Sequence, residues 1–370
     1  MKQLSGTKII YEEAIMKKKI YFIHPAIHNI DEFVKYLRVE NLPCIDSIEW
    51  DSNDPSVVFA SEMIYCDKRC FESFKKLFRN QKRIFVFHGG EAIYPDMNLF
   101  DYAITQATDF SSNNRITRMP PHFFYQRSLL QGDFKNSLNE EEARKILSNR
   151  KFCNFIYSNP FSHPMRDQLF YNILEYKPID SLGAHLNNTN IPPSRRETNW
   201  AELSVKLKAN YKFSIACENA LCCGYTSEKL LTSFQAHTVP IYWGNPAVTK
   251  EYNENAFINL HSFDSFDELL KRIEYIDTHD EEWIKMVTSP WQTEEQVKYT
   301  TYEMKAYLAF MEYLLRIDSM PKKEIPSGTF TNVYRDSFFN SYKTKKHVLR
   351  KVVFSVSRKI ERFLRRIIKK

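Results

Sequence analysis

The segment Cys217-Glu-Asn-Ala-Leu-Cys-Cys-Gly-Tyr-Thr-Ser-Glu-Lys-Leu230 lies between an apolar run and a helical one, yet gathers two carboxylates, a lysine, a serine and a glycine. Ser227, preceded by Gly224-Tyr225-Thr226, has the residue type of a helix N-cap, so the free N–H groups of a first turn would face the end of a sheet. An anion is welcome at such a place. Lys229 stands in that first turn, against the dipole preference for acids, and an external anion accounts for it better than helix stability does. Glu228 can accept hydrogen bonds from the hydroxyls of a ribose or sugar, and Glu218 either competes for them or anchors the loop. A capping serine beside a solvated Glu–Lys pair fits the same spacing equally well. Cys222 and Cys223 read as packing residues, neither nucleophiles nor metal ligands.

Two further positions carry charge at element ends. Glu91 follows a strand and two glycines, in a loop where backbone and substrate can approach closely. Arg166 stands in Pro164-Met-Arg-Asp167 at the start of a helical stretch, where a surface charge is the plain reading. His88, at a strand end, reads as a packed structural histidine. There is no GxxxxGK[ST] loop and no GxGxxG, so classical kinase and dehydrogenase readings lose their support. A metal held at a diphosphate by an Asp-x-Asp pair is not supported either: Asp51-Ser-Asn-Asp54 and Asp264-Ser-Phe-Asp267 both miss that spacing.

The elements that must position these residues alternate. Short apolar runs at 17–25, 56–60 and 83–88 read as strands, with helical spacing at Ile30, Phe33, Val34, Leu37 and at Phe71, Phe74, Leu77, Phe78 between them. After a polar helical segment over 139–149 the alternation resumes: strands at 151–157, 211–216, 239–243 and 256–260, helices at 164–175, 227–236 and 265–275. Strands alternating with helices predict parallel sheets. Met304 to Ile317 is apolar at helical intervals and should pack back on the body.

Composition bounds the rest. A chain of 370 residues with 43% hydrophobic and 15% aromatic content is globular and long enough for two domains. Its seven cysteines, an odd number without zinc-ribbon spacing, read as reduced thiols. No stretch has signal-peptide form and no run reaches ~18 apolar residues, so the expectation is a soluble intracellular body. The net charge of +7 hides an asymmetry: residues 343–370 hold twelve Lys/Arg and one Glu, or +11, leaving about −4 elsewhere. Their apolar residues keep a helical period, which predicts a basic amphipathic helix on an anionic membrane surface. A docked or dimerisation helix is the plainer alternative. Nucleic-acid binding by the whole protein is a poor inference from the net charge, because that charge is confined to this tail.

From Tyr211 to Leu269 the order of features is a strand with Glu-Asn, then Tyr-x-x-Glu-Lys, then Thr238-Val-Pro-Ile-Tyr-Trp-Gly244, then Asn255-Ala-Phe-Ile-Asn259. This resembles the donor-binding signature of the bacterial α-1,3-fucosyltransferases, glycosyltransferase family 10. Ser158-Asn-Pro-x-x-x-Pro-Met-Arg-Asp167 and His88-Gly-Gly-Glu-x-x-x-Pro-Asp-Met-Asn-Leu-Phe-Asp-Tyr-Ala103, with Arg118-Met-Pro120, agree with it. The resemblance covers roughly residues 20 to 315 and implies a GT-B type α/β fold, two Rossmann-like domains facing a cleft. The domains implied are 1–150 for the acceptor and 151–320 for GDP-fucose, followed by a linker at 321–342 and the tail at 343–370. By the same resemblance Glu91 is the general base, Arg166 and Lys229 bind the diphosphate, Asn219 and Tyr225 line the nucleotide-sugar site, and Glu228 holds hydroxyls, with Glu218 and Ser227 in support.

The implied reaction is inverting transfer of L-fucose from GDP-fucose to GlcNAc of N-acetyllactosamine-type surface glycans, α-1,3 in linkage. Lipopolysaccharide O-antigen and Lewis antigens are the implied products. No metal is obligatory, a divalent cation being at most a stimulator. The implied place is the cytoplasm, at the inner face of the cytoplasmic membrane. The tandem heptads of some relatives are missing, which leaves homodimerisation open. A different nucleotide sugar, or a basic-tailed membrane- or nucleic-acid-binding protein without transferase activity, are the alternatives.

Overall fold

A computed structural model of the chain describes residues 17–79, 82–108, 114–119, 138–189, 200–316 and 330–341. The tail at 343–370 lies outside the described residues. The first unit is built on β1 (Lys18–Ile23), β2 (Ile48–Trp50), β3 (Val57–Ala60), β4 (Ile84–His88), β5 (Tyr102–Thr105) and β6 (Ile116–Arg118). They form one sheet in the order β2-β1-β3-β4-β5-β6, every neighbouring pair parallel. The second unit has β7 (Lys151–Phe155), β8 (Ile179–Ser181), β9 (Tyr211–Cys217), β10 (Val239–Trp243) and β11 (Ile258–Asn259), in the order β11-β10-β9-β7-β8 and again parallel. Each sheet reverses its winding direction once, between β1 and β3 in the first and between β7 and β9 in the second. Crevices for ligands open at the carboxyl ends of strands at such reversals.

Helices cover both faces because the strands are apolar on both. Val57 and Phe59 point into one core with Phe22 and Phe33, while Val58 and Ala60 point into another with Phe74, Phe85 and Phe87. Asn29 caps α1 (Ile30–Leu37) and Asp67 caps α2 (Lys68–Phe78), each satisfying first-turn N–H groups. The polar segment after 138 forms α3 (Glu140–Leu147), closed by a capping box of Asn139 and Glu142. The second unit adds α4 (Met165–Tyr176), α5 (Trp200–Lys208), α6 (Glu228–Gln235), α7 (Phe266–Thr278) and α8 (Asp280–Thr288).

The strand expected at 256–260 shrinks to β11 between two 3-10 turns, because the Asn253 and Asn259 side chains cap those turns.

The chain then returns to the first unit. The helix α9 (Glu294–Arg316) buries Tyr307, Met311, Leu314 and Leu315 in the core around Phe22 and Phe33, and the Tyr307 hydroxyl donates to the Leu37 carbonyl at 3.2 Å. Each such side chain contributes about 1.5–3 kcal/mol by its burial. Where a linker was expected at 321–342, α10 (Phe330–Ser341) packs Phe338 and Phe339 on Phe71, with Phe339 also on Phe74 and Phe78. The Arg335 guanidinium lies 5.0 Å from the Phe78 ring and donates to the Asn98 carbonyl. Polar letters hid this helix, since among its described side chains the docking contacts come from Phe338, Phe339, Arg335 and Tyr334, whose hydroxyl donates to Asp96 at 2.6 Å.

Candidate active site

Arg166, in the first turn of α4, fills the crevice between β7 and β9. It is 1% exposed, and its guanidinium lies 4.1 Å from the Tyr157 ring centre. It donates to the carbonyls of Asn159 (3.4 Å) and Cys217 (3.3 Å) and to the Asn219 side-chain oxygen (2.5 Å). Tyr157 is itself fixed, its hydroxyl accepting the Cys217 N–H at 2.6 Å. Among the described residues no carboxylate pairs with Arg166, and its Nε has no hydrogen-bond partner. A buried cation without a counter-ion is costly, and an anion at this strand end would neutralise it. The half-buried Asn219 covers it, so contact with a ligand requires Asn219 to turn aside.

At the end of β9 the arrangement departs from expectation. Glu218, fully buried, accepts the Ser227 N–H (2.7 Å), the Ser227 hydroxyl (2.7 Å) and the Lys229 ammonium (3.1 Å). The α6 terminus therefore already faces an anion, and it is the protein's own. The spacing argument that Lys229 needs an external anion is replaced by this ion pair, which answers its unfavourable place in the dipole. Burial works against the Lys229 charge, but Glu218 and then Glu228, 3.7 Å away, hold its pKa above the ordinary lysine value. Glu218 is thus an anchor rather than a hydroxyl ligand. Gly244 lets it fit, since a Cβ there would stand 2.4 Å from Glu218 Cγ.

Beneath the same turn lies Lys208, which the sequence did not single out. Its ammonium donates to the Lys229 carbonyl (3.0 Å) and the hydroxyls of Thr232 (2.7 Å) and Ser233 (3.0 Å). Burial lowers its pKa to about 7.

Across the cleft, Glu91 is exposed in the loop after β4. Gly90 is held on both sides: its N–H donates to Glu62 at 3.3 Å and its carbonyl accepts from the Gln106 side chain at 2.7 Å. Tyr225, expected to line the donor, donates its hydroxyl to Glu91 at 3.1 Å. This hydrogen bond joins the two candidate halves at Glu91.

The seam around it is continuous. The Thr108 N–H donates to the Cys223 carbonyl at 2.9 Å, and Asn245 accepts the Gly224 N–H at 2.8 Å. Gly224 needs its φ of +89° and close approach here, because a Cβ would stand 2.4 Å from the Gln106 carbonyl. Arg118 donates to the Gly224 carbonyl at 2.7 Å and pairs with Glu251 (2.5 Å) and Glu303, joining the two units and α9. Cys222 packs with Ala107 and Tyr225, so the cysteine pair belongs to this seam.

The structure thus groups Arg166, Asn219, Glu218, Ser227, Glu228 and Lys229 at the strand ends of the second sheet. It brings Tyr225 and Glu91 together from opposite sides. His88 is fully buried against the Phe22 and Tyr36 rings, and burial lowers its pKa to about 3. Glu62, Gln106 and Lys208 were not legible, being single polar residues at element ends without a motif. Arg118 stood in a quoted stretch but had no role. Among the described residues, no three His, Cys, Asp or Glu side chains converge as a metal site.

Comparison with known proteins bears on the family and the fold. Residues 146–325 match the family described as glycosyltransferase family 10 (fucosyltransferase) C-term. An α-(1,3)-fucosyltransferase of Helicobacter pylori is 29% identical over 276 residues, 66% of this chain and 55% of that protein. A GDP-fucose protein O-fucosyltransferase 3 of Gallus gallus is 28% identical over 160 residues, 42% of this chain and 32% of its own length. The chain therefore spans little more than half of the first relative and a third of the second. A crystal structure of an α1,3-fucosyltransferase superposes with a TM-score of 0.63 at 22% identity, over 87% of this chain and 97% of that one. A crystal structure of an α1,3-fucosyltransferase with GDP-fucose gives 0.60, over 86% and 96%. At that identity the likeness establishes the fold, which is of the GT-B type.

Proposed function

We propose that this chain, whose residues 146–325 form a glycosyltransferase family 10 domain, transfers L-fucose from GDP-fucose to a GlcNAc hydroxyl of a glycan, with inversion and in α-1,3 linkage. The observation that carries the reading is the 3.1 Å hydrogen bond between Tyr225 and Glu91, which sets a carboxylate of the first unit against the donor loop of the second. Glu91 takes the proton of the acceptor hydroxyl as its oxygen attacks the anomeric carbon from the side opposite the departing GDP. Negative charge grows on the diphosphate as the bond breaks. Lys229 and, once Asn219 turns, Arg166 are the cations placed to stabilise it, worth most where water is excluded. Glu228 holds hydroxyls of the donor. With two cations for the leaving group, no metal is obligatory.

The acceptor is a surface glycan of the N-acetyllactosamine type, as in lipopolysaccharide and Lewis structures. The basic segment 343–370 would hold the enzyme at the inner face of the cytoplasmic membrane. Support for that placement is the tail's charge of +11 and its helical apolar period. Incubation with GDP-fucose and a panel of type 1 glycans, type 2 glycans and peptides, with linkage analysis of any product, tests the reaction. A type 2 product in α-1,3 linkage is expected, and Glu91→Gln should lower kcat by about 100- to 10,000-fold while still binding GDP-fucose. Unimpaired turnover in Glu91→Gln removes it as the base, and labelling of peptides alone moves the acceptor to protein. Protein ending at Ser341 should keep transfer and lose binding to anionic liposomes; retained liposome binding would refute the membrane role of the tail.

A further inference from the structure

A cavity of about 520 Å³ opens beside Glu91 at the carboxyl ends of β1, β3, β4 and β5, the reversal point of the first sheet. Glu62, Gln106 and Gly90 line it with Glu91, the Tyr36 side chain contributes to the wall from α1, and Glu32, Lys35 and Arg38 complete its charged rim. Gln106 is 3% exposed, and its amide nitrogen is committed to the Gly90 carbonyl, so its other end must be the oxygen. That oxygen has no hydrogen-bond partner among the described residues. Buried acceptors are nearly always satisfied, so a group with a proton to donate belongs there. Glu62 makes no ion pair among the described residues, and its Oε2 receives the Gly90 N–H at a long 3.3 Å. Burial, and to a lesser degree the Glu91 charge, raise its pKa above the usual carboxylate range, the mark of a carboxylate short of donors.

We infer that Glu62 and Gln106 read the acceptor: they accept hydrogen bonds from O–H or N–H groups flanking the hydroxyl whose proton Glu91 takes, and so select a neutral, donor-rich sugar. The inference rests on the fucosyl-transfer reading above. All three side chains around Gly90 offer oxygen acceptors, which matches the polyol edge of a sugar and repels an anionic substituent at that edge. Glu62 and Gln106 also fix Gly90 from both sides and are thereby positioning residues for Glu91.

The test uses the full chain, GDP-fucose, and an acceptor disaccharide with its monodeoxy and deacetamido analogues at the positions beside the reacting hydroxyl. The unmodified enzyme should disfavour at least one analogue by roughly 10- to 100-fold in kcat/KM, the loss of one hydrogen bond to a charged or buried group. Glu62→Gln or Gln106→Met should raise the acceptor KM while the KM for GDP-fucose stays unchanged, and should erase discrimination against that same analogue. Equal use of every analogue by the unmodified enzyme overturns the inference without any variant. Variants with unaltered acceptor KM and an unaltered analogue profile overturn it as well, leaving water as the occupant of the Gln106 site. Absence of transfer from GDP-fucose to any acceptor would instead sink the reading on which it rests.

Discussion

Glu218, Ser227 and Lys229 are tied to one another at 2.7–3.1 Å in the floor of the second unit, whereas Glu62, Glu91 and Gln106 line an open cavity in the first and meet mainly through one glycine. Around Glu218 the second unit is closed upon itself, while nearby Arg166 has no carboxylate partner among the described residues. The first-unit cavity presents oxygen atoms, of which that of Gln106 has no hydrogen-bond partner among the described residues. On the fucosyl-transfer reading proposed above, the difference teaches that a site for a charged donor can be built largely as part of the core, while a site for a hydroxylated acceptor is left short of partners.

Removing the internal anion should break the closed side most severely. Glu218→Ala leaves Lys229 without its main partner and the Ser227 N–H unsatisfied, and should destabilise the fold by about 3–5 kcal/mol. Thermal or urea unfolding measures it, with Glu62→Ala expected to cost about 0.5–1.5 kcal/mol for the loss of its long hydrogen bond from Gly90. Equal losses in the two variants would abolish the contrast. Tyr225→Phe cuts the bond that joins Glu91 to the second unit. It should lower kcat by about tenfold to a hundredfold and leave the GDP-fucose KM nearly unchanged, as steady-state kinetics will read; a rise in that KM alone would return Tyr225 to the donor.

The smallest effect concerns Lys208. Its folded pKa of about 7 lies below the unfolded lysine value, so between the two the unfolded chain binds the extra proton and stability rises with pH. Unfolding free energy should therefore climb from pH 7.5 to 9 by up to about 1 kcal/mol per unit more than in Lys208→Met. Parallel pH curves for the two proteins would mean that Lys208 is not buried as a near-neutral amine under α6.

Much of the fold was legible because long apolar strands and helices announce themselves by period. Tyr211–Cys217 and Val239–Trp243 are buried throughout, and α2 keeps its stripe of phenylalanines. The three-residue strands Ile48–Trp50, Ile116–Arg118 and Ile179–Ser181 are too short to show a period and owe their place to neighbours already in the sheet. In the site, Lys229 and Glu218 stood out by charge in an apolar setting, but spacing could not say that they answer each other. Gln106 and Glu62 left no trace, since what matters about them is a distance of 16 and 28 residues from Gly90 closed by the sheet.

The return of α9 to the first sheet has a consequence in time. Tyr307 completes a core begun at Phe22, and its hydroxyl meets the Leu37 carbonyl 270 positions earlier in the chain. At about 5–20 residues per second, the first unit, its last strand made by Arg118, waits roughly 10–40 s on the ribosome with the apolar face beside α1 only partly covered. The second unit, whose strands and covering helices are complete before α9 begins, can close first, so the amino-terminal half of this protein is the later half to finish folding.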